Sequence, residues 1–219
     1  MTFQSHKFPH SRSALSVRAE CPVNSPEGNV RRNPTSIGER KVIFRIHRSE
    51  EVPAIEALFT TVFTDSGTEA EGCLIGKLAR DLVEGTKACE LIGFAGEEGG
   101  SLVASVLFSR LTFPTDIRVC LLAPVAVHSA HQGKGVGQRL INHALNALRN
   151  EGVEFAITYG DPRFYRKVGF QPICEDIVVP PFTLSQPEGW LGQSLSSDPI
   201  DSLDGTCSCV PAFHNPVFW

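Results

Sequence analysis

This chain has no apolar stretch long enough to span a membrane. Its most continuous apolar run, Val119 to Val127, falls far short of the roughly 18 residues that a spanning helix needs. It also lacks an excess of positive charge. The 20 Lys and Arg residues stand against 24 Asp and Glu, for a net charge of −4, so the composition shows no nucleic-acid footprint. C-x-x-C pairs are missing too. Seven cysteines are scattered along the chain, and only Cys207 and Cys209 lie close together, so no zinc or other metal site is expected. An odd, scattered set reads as free thiols of a reducing compartment and offers no anchor for cysteine catalysis. There is no internal repeat.

The first residues lack the apolar segment of a secretory signal. Met1 to Arg18 carries Lys7, Arg12, Arg18 and several serines, with no acid before Glu20. That pattern resembles an organellar transit peptide, and a plain disordered tail is the competing reading. Nothing periodic precedes "KVIFRIH". Residues 1–40 are therefore expected to be a disordered tail ahead of one domain at 41–219, with a core at 41–179 and a C-terminal extension at 180–219. The expected location is cytoplasmic, with organellar import through the tail left open.

What is present is ordinary for a soluble globular chain, 42% hydrophobic and 20% charged over 219 residues. Residues 41–47 alternate apolar and polar and predict a strand. Ser49, followed by Glu50 and Glu51, predicts an N-cap opening a helix with Val52, Ile55, Leu58, Phe59 and Phe63 at three-to-four spacing. A second helix is predicted over 69–83, with Leu74, Ile75, Leu78 and Leu82 on one side. Strands follow at 89–96, 101–111 and 118–127, the first two joined by the turn "EEGG". Val136 to Asn150 predicts a helix with Leu140, Ile141, Ala144, Leu145 and Leu148 on one face, ended by a left-handed Gly152. After a strand at 154–160, Asp161 and Pro162 open a short helix, and 171–179 reads as the last clear strand. Beyond Pro180 only "WLGQSL" and "CVPAFH" look ordered. The order β-α-α-β-β-β-α-β-α-β argues a mixed α/β sheet.

Between the strand ending at Val127 and the helix starting near Val136 lies "HQGKGVGQRL". Glycines at 133, 135 and 137 suggest a sharp bend or a close approach by something else. The first amides of a helix have no internal partner and carry the positive end of its dipole, so an anion such as phosphate suits the point where loop meets helix. Lys134 adds a cation. A P-loop is excluded because the lysine is misplaced and no hydroxyl follows it. A dinucleotide fingerprint fails at its third glycine, where Gln138 stands. Glu154 falls about where a ribose-binding acid would, but the hairpins upstream disagree with that fold.

The spacing Gln132-x-x-Gly135-x-Gly137, after "VAV" and before an amphipathic helix, resembles the diphosphate motif of GCN5-related N-acetyltransferases, Q/R-x-x-G-x-G/A. The bacterial YhbS-type branch is the most similar. "GDP" at 160–162, "FY" at 164–165 and "GF" at 169–170 support that likeness, which covers roughly residues 41–179. The resemblance implies an α/β fold with a mixed, mostly antiparallel central sheet, flanking helices, and splayed strands 4 and 5. It implies acetyl-CoA as cosubstrate, its diphosphate on the amides of Gln132, Gly133, Lys134, Gly135, Val136, Gly137 and Gln138. The pantetheine arm would run along Val125, Ala126 and Val127, where a bulge splays the sheet. Read from the residues alone, those side chains are core.

Acetyl transfer to an amine needs a deprotonated amine, a donor for the carbonyl oxygen and a proton for the departing thiolate. By the same resemblance, Tyr165 stands where many of these enzymes carry the acid that protonates sulfur, and an amide near Val127 would supply the oxyanion donor. Tyr165 could instead pack between helix and sheet, its hydroxyl only bonding the cofactor. Phe164 reads as pocket lining or core. His128, Asp116 and Glu175 are candidate bases, with an exposed loop histidine as the plainer reading of His128 and a water-relayed base as a further alternative. The expected function is transfer of the acetyl group of acetyl-CoA to a primary amine by direct attack. The competing reading is a non-catalytic CoA-binding sensor or scaffold. Expected partners are a small-molecule or peptide amine, with no nucleic acid or membrane, and a monomer or homodimer.

Overall fold

In the computed structural model, which describes residues 41–199, 203 and 205–219, the alternating segments form a seven-stranded sheet. β1 (Ile43–Ile46), β2 (Leu91–Glu98), β3 (Ser101–Leu111) and β4 (Val119–Val127) make an antiparallel meander, and β5 (Phe155–Tyr159) joins β4 in parallel. β8 (Trp190–Ser194) pairs β5, and β6 (Gln171–Pro172) pairs β8, both antiparallel. β7 (Val178–Val179) and β9 (Gly205–Thr206) form a separate parallel pair. The mixed, mostly antiparallel sheet expected from the sequence is present.

Two helices, α1 (Val52–Ser66) and α2 (Glu69–Gly85), cover one face, while α3 (Val136–Asn150) and the short α4 (Pro162–Tyr165) cover the other. Alternation along the strands sorts the two cores. Leu121 and Ile157 point to α1 and α2, whereas their neighbours Leu122 and Ala156 point to α3. On α3 the residues Leu140, Ile141, Ala144, Leu145 and Leu148 are all buried, as their spacing predicts. Each fully buried Leu or Ile contributes about 1.5–3 kcal/mol, so this stripe fixes the helix against the sheet. The C-terminal extension completes the first core through Trp190, Phe213 and Trp219, and the Trp219 indole donates to the Phe213 carbonyl at 3.0 Å.

Two local expectations need correction. Ser49 does not cap the first helix; its hydroxyl meets Glu50, and a 3-10 turn at Ser49–Glu51 precedes α1. Arg48 is the N-cap of that turn, and the Glu51 side chain reaches back to its amide at 2.8 Å and to the Arg45 guanidinium at 2.9 and 2.5 Å. Glu51 is the residue before α1, with no side-chain cap bond into it. The Arg45 hydrogen bonds hold the Glu51 carboxyl down at about 2. The strand predicted over 171–179 is really two short ones. Pro172 has no N–H to extend a ladder, a turn follows at 175–177, and Val178 pairs with Gly205 instead. The tail expected at 1–40 lies outside the described residues. No helix among the described residues is long and apolar enough to cross a membrane.

Candidate active site

β4 and β5 stay paired only as far as Leu122 and Thr158. Opposite β3, the register of β4 slips between Val106 and Phe108, at the Ala123-Pro124 step, where Pro124 has no amide to give. Beyond that bulge Val125, Ala126 and Val127 pair with β3 alone. The His128 amide donates to Val103 O at 2.9 Å, so alternation turns the polar groups of Ala126 toward β3. Those of Val125 and Val127 face the open side of the fork, while their side chains pack on the α3 core. The α1–α2 loop, the β2–β3 hairpin and the β5–α4 junction share this end of the sheet.

The glycine loop closes one wall. A 3-10 turn at Ser129–His131 leads into Gly133 and Gly135, both left-handed at φ 71°, a conformation that L side chains resist. Gly137 has a different task. It is helical and buried, and a Cβ there would meet Val127 Cγ2 at 3.2 Å and Phe164 Cζ at 3.5 Å. Two glycines thus bend the chain and the third lets α3 close on β4. None of the six amides from Gly133 to Gln138 meets an acceptor among the described residues; the first bond of the helix runs from Arg139 N to Gly135 O at 3.1 Å. They form a row of donors at the positive end of a 15-residue helix. A Cβ at Gly133 would meet nothing within 4 Å, so the row opens outward. Lys134 is exposed beside it, and Arg139 Nη1 donates to its carbonyl at 2.9 Å.

Gln132 differs from the other loop residues. Its amide is bonded to Ser129 O at 3.3 Å and its Nε2 donates to Val127 O at 2.8 Å. Its polar groups brace the loop against β4.

The opposite wall carries Tyr165. Asp161 caps α4, accepting from the Arg163 amide at 2.9 Å, and Pro162 opens it, as the sequence predicts. One turn later Tyr165 is buried edge-on against Phe164 at 5.1 Å and Phe170 at 5.7 Å. Phe164 is half-buried against the α3 core, consistent with either of its sequence readings. Burial pushes the Tyr165 phenol up to about 12, and the neighbouring Thr158 hydroxyl offsets this only partly. Thr158 itself donates to Leu122 O at 2.9 Å across the last rung of the β4–β5 pair. The phenol therefore lies beside the fork. Thr158 was not legible as a site residue, since its partner is 36 positions away in the chain.

The candidate bases separate by position. Asp116 is exposed in the β3–β4 turn, at the far end of the sheet, which removes it from this site. His128 accepts from the Ala130 amide at 3.3 Å and stands edge-on to His131, on the β2–β3 side of the loop. Glu175 is half-buried in the turn between β6 and β7, at the same end as the fork. Burial pushes the thiols of Cys120 and Cys207 up to about 11 and about 12, the opposite of an activated nucleophile. Among the described residues no three His, Cys, Asp or Glu side chains gather to hold a metal ion.

A family model for the acetyltransferase (GNAT) domain matches residues 90–172, from β2 through the loop and α4 to β6. YjhQ of Escherichia coli K12, an uncharacterised N-acetyltransferase, is 31% identical over 139 residues, covering 61% of this chain and 76% of that protein. The crystal structure of the GNAT family N-acetyltransferase YhbS from Escherichia coli, in complex with CoA, superposes with a TM-score of 0.72 at 22% identity. It covers 83% of this chain and 97% of that one. A GNAT family acetyltransferase from Brucella melitensis in complex with acetyl-CoA gives 0.63 at 21% identity, over 80% and 99% of the two chains.

A splayed mixed sheet with a bare amide row at its fork thus has the architecture of an acyltransferase. The chain belongs to the GCN5-related N-acetyltransferase family.

Proposed function

We propose that this enzyme moves the acetyl group of acetyl-CoA to a primary amine by direct attack, with no acyl-enzyme intermediate. The observation that carries the reading is the unbonded amide row from Gly133 to Gln138. Its geometry fits a diphosphate, because amide donors converge at a helix N-terminus and no Cβ shields them at Gly133. The polar edges of Val125 and Val127 would take the pantetheine arm, and a Val127-side amide would stabilise charge on the carbonyl oxygen. Acetyl-CoA brings the acyl group already activated as a thioester.

Tyr165 gives its proton to the departing sulfur. As the carbon–nitrogen bond forms and the carbon–sulfur bond breaks, that proton is replaced by the one the amine sheds. A phenol held near 12 keeps its proton at neutral pH. Burial makes it a weaker acid than a free tyrosine, so its transfer to sulfur runs together with carbon–sulfur cleavage and uptake of the amine's proton. The acceptor is a small-molecule or peptide amine that reaches the fork from the side of α1, α2 and the C-terminal extension.

Calorimetric titration with acetyl-CoA tests the reading. The parent protein should bind it, and Gly135→Glu, which places a carboxylate and a strained backbone in the amide row, should not. Equal binding by both would sink the proposal.

A further inference from the structure

The β2–β3 hairpin is joined to the glycine loop by one side-chain pair. His131 Nε2 lies 3.1 Å from Glu98 Oε2, with the two side chains only 17% and 28% exposed. An ionised carboxylate can only accept, so Nε2 carries the proton and donates. The other ring nitrogen, Nδ1, is buried and has no hydrogen-bond partner among the described residues. The His128 ring stands edge-on at 6.0 Å, against the same imidazole.

Stability alone is a poor account of this arrangement. A partly exposed hydrogen bond contributes little, and a buried nitrogen without a partner costs free energy. Its place in the chain is the better account. His131 precedes Gln132, which is itself bonded to Val127 O, and the free amides begin at the next residue. The start of the amide row is therefore suspended from two strands, β2 through Glu98 and β4 through Val127.

We infer that His131 and Glu98 are positioning residues for the diphosphate-binding loop. They set how far the amides stand from β4, so that one extended ligand meets the fork and the row together. The inference rests on the acetyl-CoA reading above and concerns grip on the diphosphate, not the chemistry of transfer.

Full-length parent, Glu98→Ala, His131→Ala, the double variant and Glu98→Gln would be titrated calorimetrically with acetyl-CoA and with S-acetylpantetheine, which lacks the diphosphate. Each alanine variant should weaken acetyl-CoA about five-fold, and the double variant no more than the worse single one. Glu98→Gln, whose amide oxygen still accepts, should stay within about two-fold of the parent and keeps the test open if an alanine variant misfolds. S-acetylpantetheine affinity should not change. Alanine variants that bind acetyl-CoA like the parent, or lose both ligands equally, would overturn the positioning role. A parent that fails to bind acetyl-CoA would instead refute the acetyl-CoA reading itself.

Discussion

Gln132 Nε2 donates to the carbonyl of Val127 at 2.8 Å, tying the start of the glycine loop to the last residue of β4. The motif glutamine thus acts on the strand, and the bare amides begin at the next residue. Gln132→Ala frees the Val127 carbonyl and loosens the turn. The acetyl-CoA dissociation constant should rise about five-fold while the melting temperature changes little, because one half-exposed hydrogen bond is worth about 1 kcal/mol. Unchanged affinity would show that the brace is dispensable.

Gly160 sits under the Tyr165 ring, and a Cβ there would come within 2.7 Å of Cε2. Gly160→Ala must therefore displace a buried ring. We expect turnover to drop by about ten-fold, since small misplacements of a reacting group are costly, with acetyl-CoA affinity close to that of the parent. If turnover survives while the protein stays folded, the placement of Tyr165 does not limit the reaction.

Tyr165→Phe keeps the ring and removes the proton. The acid role predicts a fall in kcat of about 100-fold with acetyl-CoA binding preserved. Because burial raises the phenol to about 12, the acid form persists well above the ordinary tyrosine value of 10. No limb near pH 10 in the kcat profile should vanish in the Phe variant. A limb at that pH that does vanish would contradict the buried phenol.

His47 is expected to make the fold sensitive to acid through a different route. Its Nε2 lies 3.0 Å from the buried Ser105 hydroxyl, and burial, aided by the Arg45 charge, pushes the imidazole down to about 4. The folded state holds it neutral while the unfolded chain protonates near the ordinary 6.5. That stability is complete above pH 6.5 and is lost as pH falls toward 4, by about 3 kcal/mol at the limit. Glu51, held at about 2, remains charged across this window. Melting temperatures from pH 7 to 4.5 should fall less steeply for His47→Gln than for the parent. Parallel curves would exclude His47 as the sensitive group.

Local chemistry made much of this protein legible. The α3 stripe follows its 3.6-residue period from Leu140 to Leu148, and Asp161 with Pro162 starts α4 as its residue types require. The loop's conformation was legible at Gly133 and Gly135, because left-handed backbone is costly to other residues wherever it occurs. Ser49 was misread because a 3-10 turn comes before α1, and the turn's N-cap amide, on Arg48, is taken by Glu51, which Arg45 of β1 also holds. The break in 171–179 depended on β8 and β9, strands that arrive later in the chain.

By itself, the sequence determined the main helices, the glycine bend and the row of free amides, since each depends on residues close together along the chain. Tertiary structure alone decided where β4 leaves β5, that Gly137 serves packing against Val127 and Phe164, that Asp116 lies at the wrong end, and that Glu98 reaches His131. Those facts are contacts between distant segments. No local preference encodes them until the whole sheet has closed and fixed which side chains meet.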